Sequence, residues 1–292
     1  MRTTAMMAEF DTERVHEEVR IERLAGRDGR SGRNTERDGD RRGRVARLVM
    51  ERGDRRLNVF RPPKLEAMAA AVEALADEVD CLVVYGEGEF SAGADLEFIR
   101  EAPAEMRPVT IDTIAAASSR YIRAVREFPG PVISAVTGVA AGGGLGFMLA
   151  SDLNYLHESA TLDTAFARIG LTPDNAISFF LVKTVGPYKA RELLFDPEPI
   201  DAAEAVDLGF ANAAYGGSAE AFLETVTDRA RELAAGPTDV HAETKTLVDA
   251  SYEGRLSQHL EQERTAIKRM SGTDTFDEGL DAFLEGRDPE WD

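Results

Sequence analysis

Residues 138–147 read GVAAGGGLGF and residues 90–96 read FSAGADL. Each stretch follows an apolar run, PVISAVTGV in one case and CLVVYGEG in the other, and precedes a helix-like one. Both are therefore expected to be turns that open helices. The first N–H groups of a helix have no intrahelical partner and carry partial positive charge. Glycine and alanine leave such groups open to a ligand oxygen. One N–H from each turn could hold the negative charge that develops on a carbonyl oxygen. A phosphate cradle fits less well. Neither turn carries the lysine of GxxxxGK[ST], and GGGLGF lacks the acidic partner of GxGxxG. Close helix–strand packing would account for one turn alone and explains the pair less well.

An oxyanion site that also moves protons needs an acid or base beside it. In ARIGLTPDNAISFF, Asp174 follows Pro173 and precedes the apparent helix AISFFLVKTVG. Two roles are open to it: an acid/base, or an N-cap worth about 1 kcal/mol. A capping carboxylate would have a lowered pKa and be a weaker base. Asp163 is a minor alternative base. Asp95 reads as the cap of the helix after the first turn, and Glu97, Glu101 and Glu105 are expected to face solvent. The histidines (His16, His157, His241, His259) show no HxxxH or HExxH spacing, so no metal site is expected. A lone Cys81, opening CLVVYG, reads as a buried structural thiol.

The elements that must carry these residues follow from periodicity. EEVRIERL and RVARLVMERG alternate like half-buried strands. Between them, GRDGRSGRNTERDGDRRGR has no apolar period and reads as a solvated loop; its acidic residues dilute the arginines, and no aromatic is interleaved to stack on bases. PKLEAMAAAVEALADEV places Leu65, Met68, Ala69, Val72 and Leu75 on one helical face. Strand–helix alternation then continues to about residue 195, which indicates an α/β fold with a helix-covered sheet. Beyond residue 200 the pattern is almost entirely helical. The domains read as an N-terminal extension (1–16), a core (17–200) with an inserted polar loop (24–43), and a helical region (201–292).

Bulk composition bounds the function. The 292 residues, 43% hydrophobic and 30% charged, suit a globular protein with a sizeable core. No apolar run approaches the roughly 20 residues needed to span a bilayer, and Glu9, Asp11, Glu13 and Arg14 interrupt any early signal-peptide core. A cytoplasmic location is expected, with no membrane partner. The net charge is −19, from 34 basic and 53 acidic residues, and only five of the basic ones are lysine. Such a surface repels phosphate backbone, which argues against nucleic-acid binding. It is similar to compositions found in salt-adapted organisms, where ionic strength screens self-repulsion.

Taken in order, LNVFRPPKLEAM, EFSAGADLEFI, PVISAVTGVAAGGGLGFMLASDL, FARIGLTPD and the helical end FLEGRDPEW resemble the crotonase superfamily of enoyl-CoA hydratases and isomerases. The resemblance covers residues 44–292, with EEVRIER as the first strand and the 26–44 segment as an insertion. It implies a spiral of ββα units, a helical C-terminal trimerisation region, an acyl-CoA substrate, and a homotrimer or dimer of trimers. No separate cofactor is implied, since CoA arrives with the substrate. Carried over, the oxyanion amides are those of Ala94 and Gly143, and CoA lies along backbone at Asn58, Val59, Ala92, Asp95 and Leu96.

The two glutamates of the family's hydratases fall here on Gly146 and Phe166, so ordinary hydration is not expected. TAFARIGLTPD resembles the branch containing ring-epoxyphenylacetyl-CoA isomerase and Δ3,Δ2-enoyl-CoA isomerases, in which one carboxylate at the position of Asp174 serves as both acid and base. The resemblance thus implies an isomerase. Hydratase, thioester hydrolase or decarboxylase chemistry on the same scaffold, or CoA binding without turnover, are the alternatives.

Overall fold

The computed structural model describes residues 10–24, 43–252 and 256–291. In chain order the strands are β1 (Phe10–His16), β2 (Val19–Leu24), β3 (Val45–Met50), β4 (Val59–Phe60), β5 (Cys81–Gly86) and β6 (Gly93–Ala94). Then come β7 (Val132–Val136), β8 (Val139–Ala141), β9 (Leu153–His157), β10 (Thr161–Asp163), β11 (Ile200–Asp201) and β12 (Ala213–Tyr215). The helices are α1 (Pro62–Leu75), α2 (Leu96–Glu101), α3 (Arg107–Glu127), α4 (Gly143–Ala150) and α5 (Ile177–Phe195). They are followed by α6 (Ala202–Asp207), α7 (Ala219–Ala234), α8 (Thr238–Ala250), α9 (Leu256–Met270) and α10 (Asp274–Glu285).

The main sheet runs β1-β2-β3-β5-β7-β9-β12. β1, β2 and β3 pair antiparallel, and each strand from β3 onward pairs parallel with the next. Two small sheets, β4-β6 and β11-β10-β8, hang from it. This is the expected spiral of ββα units closed by C-terminal helices. α1 buries the five apolar residues its period placed on one face. On the opposite side of the sheet, Phe222, Val226, Ala230 and Ala234 of α7 cover Val45, Val49, Val83 and Ile133. Cys81 is fully buried in β5, and burial pushes its thiol pKa far up, so it is an inert packing group.

Two expectations change. β3 is buried along its whole length rather than on one face, because it is sandwiched between β2 and β5 with helices above and below. Arg47 survives there because its guanidinium donates to Thr227 Oγ1 at 2.7 Å, pairs with Glu22 at 3.4 Å and covers the Phe10 ring. Residues 10–16 of the N-terminal extension add an edge strand to the sheet. The inserted loop joins two strands that pair directly, Arg23 opposite Ala46, but residues 25–42 lie outside the described residues.

Candidate active site

The two glycine turns lie side by side. Ser91 bridges to Ala140, with Ser91 N donating to Val139 O and Ala141 N to Ser91 O, both at 2.9 Å. Ala94 ends β6, and Gly143 is the first residue of α4, a wholly buried helix. A Cβ built on Gly93 would stand 3.3 Å from Gly143 N, so the backbones carrying the two amides are in near contact. The helix dipole of α4 points its positive end at this junction.

The glycines answer to neighbours as much as to an open N–H. A Cβ on Gly144 would fall 2.2 Å from Ser91 O, one on Gly143 2.6 Å from Asn175 Nδ2 and from Phe60 Cζ, and one on Gly146 2.5 Å from Asn175 O. Close packing therefore governs three positions of this turn, more than the sequence suggested. Gly142 differs. It has room, but its φ of +51 favours glycine. The ring of Phe166 approaches the same turn, with Cζ 4.0 Å from a Cβ built on Gly142.

Asp174 does not cap α5. The N-cap of that helix is Ala176, at φ 57, and no side chain bonds there. The Asp174 backbone carbonyl accepts from Ile177 N at 3.1 Å, and its half-buried carboxylate accepts from Asn175 Nδ2 at 2.5 Å. Burial raises the Asp174 pKa above the ordinary carboxylate value, and the Asn175 hydrogen bond opposes the rise only in part. Asn175 and Ala176 both adopt left-handed backbone, as does Ala165 just before Phe166. An alanine in this region costs roughly 1–2 kcal/mol. The buried Asn175 Oδ1 has no hydrogen-bond partner, a further cost of about 1–3 kcal/mol. Such expense concentrated around one carboxylate is typical of functional sites.

The other sequence candidates separate clearly. Asp95 caps α2, accepting from Glu97 N and Phe98 N at 3.1 Å. Although burial opposes it, those bonds and Arg61 at 2.7 Å hold its pKa low. Asp163 accepts from Ala165 N at 2.8 Å and is ion-paired to Arg168, so it is committed to its own turn. Glu97, Glu101 and Glu105 are exposed. Ala92 is half-buried and Leu96 exposed, on a ledge beside the first turn.

Asn58 is buried, and its Nδ2 holds Met50 O at 3.0 Å, Glu89 O at 3.2 Å and Phe90 O at 3.1 Å. Its carbonyl accepts from Ala92 N at 2.8 Å, while Val59 of β4 pairs with Gly93. These two residues thus frame the backbone of the first turn. Sequence reasoning missed Lys64, whose ammonium donates to Asn58 Oδ1 at 2.7 Å, and Asn175. The signal for Asn175 was present in its type, since asparagine tolerates left-handed backbone before a helix.

A family model described as Enoyl-CoA hydratase/isomerase matches residues 41–292. The chain is 31% identical over 256 residues to YhaR of Bacillus subtilis (strain 168), covering 85% of this chain and 96% of that protein. It is 33% identical over 208 residues to 4-chlorobenzoyl coenzyme A dehalogenase-1 of Arthrobacter sp, covering 71% of this chain and 75% of that one. Among solved structures, an enoyl-CoA hydratase from Polaromonas sp. JS666 matches with a TM-score of 0.75 at 30% identity, over 84% of this chain and 96% of that chain. No single branch stands out among the matches.

Proposed function

We propose, for a chain that belongs to the enoyl-CoA hydratase/isomerase family, that its reaction is the shift of a double bond in an unsaturated acyl-CoA. The thioester oxygen lies between the amides of Ala94 and Gly143. Asp174, ionised, takes a proton from C2 of a 3-enoyl-CoA. The electron pair moves into a dienolate whose charge rests on the thioester oxygen, where the two N–H groups stabilise it. Asp174, now protonated, returns the proton to C4, and the double bond ends between C2 and C3. One base suffices because both carbons present the same face of a planar dienolate. CoA lies along Asn58, Val59, Ala92, Asp95 and Leu96. This reading places the chain with the isomerases of the family, near the ring-epoxyphenylacetyl-CoA branch, as a cytoplasmic homotrimer or dimer of trimers.

The observation that carries it is the identity and state of the acid. Asp174 is half-buried, and burial raises its pKa above the ordinary carboxylate value, which makes the carboxylate a stronger base. Hydration would need a second carboxylate to activate water, yet Gly146 packs against Asn175 and Phe166 is a hydrocarbon ring. The test offers the protein 3-enoyl-, 2-enoyl-, 3-hydroxyacyl- and carboxyacyl-CoAs. The expected result is interconversion of 3-enoyl and 2-enoyl thioesters, read by the absorbance of the conjugated thioester, with no product heavier by one water. Water addition would transfer the reading to hydratase chemistry. A new free thiol would indicate hydrolysis, loss of carbon dioxide from a carboxyacyl-CoA decarboxylation, and tight binding without turnover a CoA-binding protein.

A further inference from the structure

Asn175 joins the two halves of the proposed site. Its Nδ2 donates to Asp174 Oδ1 at 2.5 Å, and the same nitrogen lies 2.6 Å from where a Cβ on Gly143 would stand. Its carbonyl oxygen and Cβ close on Gly146, at 2.5 and 2.6 Å from a Cβ built there. Its backbone is left-handed, its side chain is buried, and its Oδ1 finds no partner. The left-handed backbone and the orphaned oxygen both cost stability. Glycine at this φ would avoid the strain and the orphaned oxygen together. What the asparagine supplies, and glycine would not, is the N–H to Asp174.

We propose that Asn175 is a positioning residue for Asp174, its amide pinning Oδ1 of the carboxylate against the first turn of α4 and leaving Oδ2 to exchange the proton with substrate. The inference rests on the isomerase reading for its catalytic consequence, though not for the contact itself. The amide also governs charge. Donation to a carboxylate favours the ionised form, which the burial of Asp174 disfavours. Burial raises the Asp174 pKa, and hydrogen bonds from Asn175 and from backbone lower it. Loss of the amide should therefore raise that pKa further and let the carboxylate turn.

The test is Asn175→Gly, which accepts the backbone conformation and removes only the side chain. Carbon-13 carboxyl NMR of the apo-protein, with the Asp174 resonance assigned by its loss in Asp174→Asn, should show the Asp174 midpoint moving to higher pH. Isomerase kcat should fall about tenfold or more, as misorientation of a reacting group implies. Its acid limb should shift to higher pH, while KM stays within about twofold and melting temperature does not fall. An unmoved titration midpoint would overturn the proposal. So would a loss of thermal stability with kcat and its pH profile unchanged, because that is the mark of a packing residue. If the parent protein has no turnover, the isomerase reading fails on its own account. The NMR midpoint then still decides whether Asn175 controls Asp174.

Discussion

The side chain of Asn175 packs so closely on Gly143 that a methyl group there would meet Asn175 Nδ2 at 2.6 Å. The contact joins the segment that carries the proposed base to the helix that carries a proposed oxyanion donor. It also explains why the glycine run extends as far as Gly146, whose Cβ would strike the Asn175 backbone. Gly146→Glu should therefore not recreate a hydratase. Overpacking against backbone costs typically 1–3 kcal/mol, and the displaced Asn175 would carry Asp174 with it. Denaturant unfolding of Gly146→Ala and Gly146→Glu should show losses of that size, with isomerisation falling in both. A stable Gly146→Glu that hydrates 2-enoyl-CoA would show that the site tolerates two carboxylates after all.

Asp174→Asn separates catalysis from stability. Isomerisation should fall by about 10²-fold or more, the usual worth of a positioned acid/base, with binding of a saturated acyl-CoA retained. The stability effect has a definite sign. A carboxylate whose native pKa is raised binds more protons folded than unfolded between about 3.9 and its native value. Its contribution therefore declines as pH rises through that window, and the full cost is present once pH exceeds the native value. Asp174→Asn should be more stable than the parent at pH 7 and nearly equal to it at pH 3. Because Asp174 is not the cap of α5, Asp174→Ala should show no loss of a cap. Equal stability differences at both pH values would mean that the native pKa is not raised.

How legible the site was depended on whether its cause lay within a local stretch of chain. The face of α1, the two turns and Asp174 itself were visible, because period, glycine spacing and residue type are local signals. The cap reading of Asp174 was open because nothing in DNAISFF reveals that Ala176, an alanine, follows Asn175 into left-handed backbone and delays the helix to Ile177. β1 escaped notice because FDTERVH is a half-exposed edge strand with little apolar alternation. The packing of Asn175 on Gly143 and Gly146 joins distant parts of the chain, and no periodicity encodes it. Lys64 was hidden for a similar reason. Its ammonium is buried because three acceptors from other segments converge on it.

Those acceptors are Asn58 Oδ1 and Glu51 O, both at 2.7 Å, and Val59 O at 3.1 Å. Burial lowers the Lys64 pKa to about 8, against the pull of Glu18. Lys64→Met should cost about 2–4 kcal/mol, since it leaves buried acceptors unpaired. It should also loosen Asn58 and the Phe90–Ala94 turn that Asn58 holds. The sign with pH follows from the lowered value. Between about 8 and the unfolded value near 10.4, the unfolded chain binds more protons. The parent's contribution from Lys64 therefore rises with pH across that window, and the gap between parent and Lys64→Met should widen from pH 8 to pH 10. A constant gap would indicate that Lys64 titrates alike in both states.

The proposed assembly turns on a surface that the described residues leave open. α10 is docked within the chain by Ala282, which is buried, and by Thr275 Oγ1 donating to Asp239 Oδ2 of α8 at 2.9 Å. Its other positions leave Phe283 84% and Leu284 72% exposed, with Phe276 and Leu280 also open to solvent. On α9, Ala266 is buried but Ile267 and Leu260 are exposed, so the face expected between subunits is only partly used within the chain. Phe276, Leu280, Phe283 and Leu284 fall at i, i+4, i+7 and i+8 and so share one face of α10, and an exposed apolar helix face of this kind marks an interaction site. Sedimentation at high salt, where the net charge of −19 is screened, should show a trimer or hexamer. Phe283→Asp combined with Ile267→Asp should sediment as a monomer whose far-ultraviolet circular dichroism matches the parent. The substitutions touch neither Asp174 nor the two glycine turns, so any loss of activity on dissociation would mean that the site needs a neighbouring subunit to close it. A parent protein that sediments as a monomer at high salt would remove the trimer from the proposal and leave these helices to some other partner.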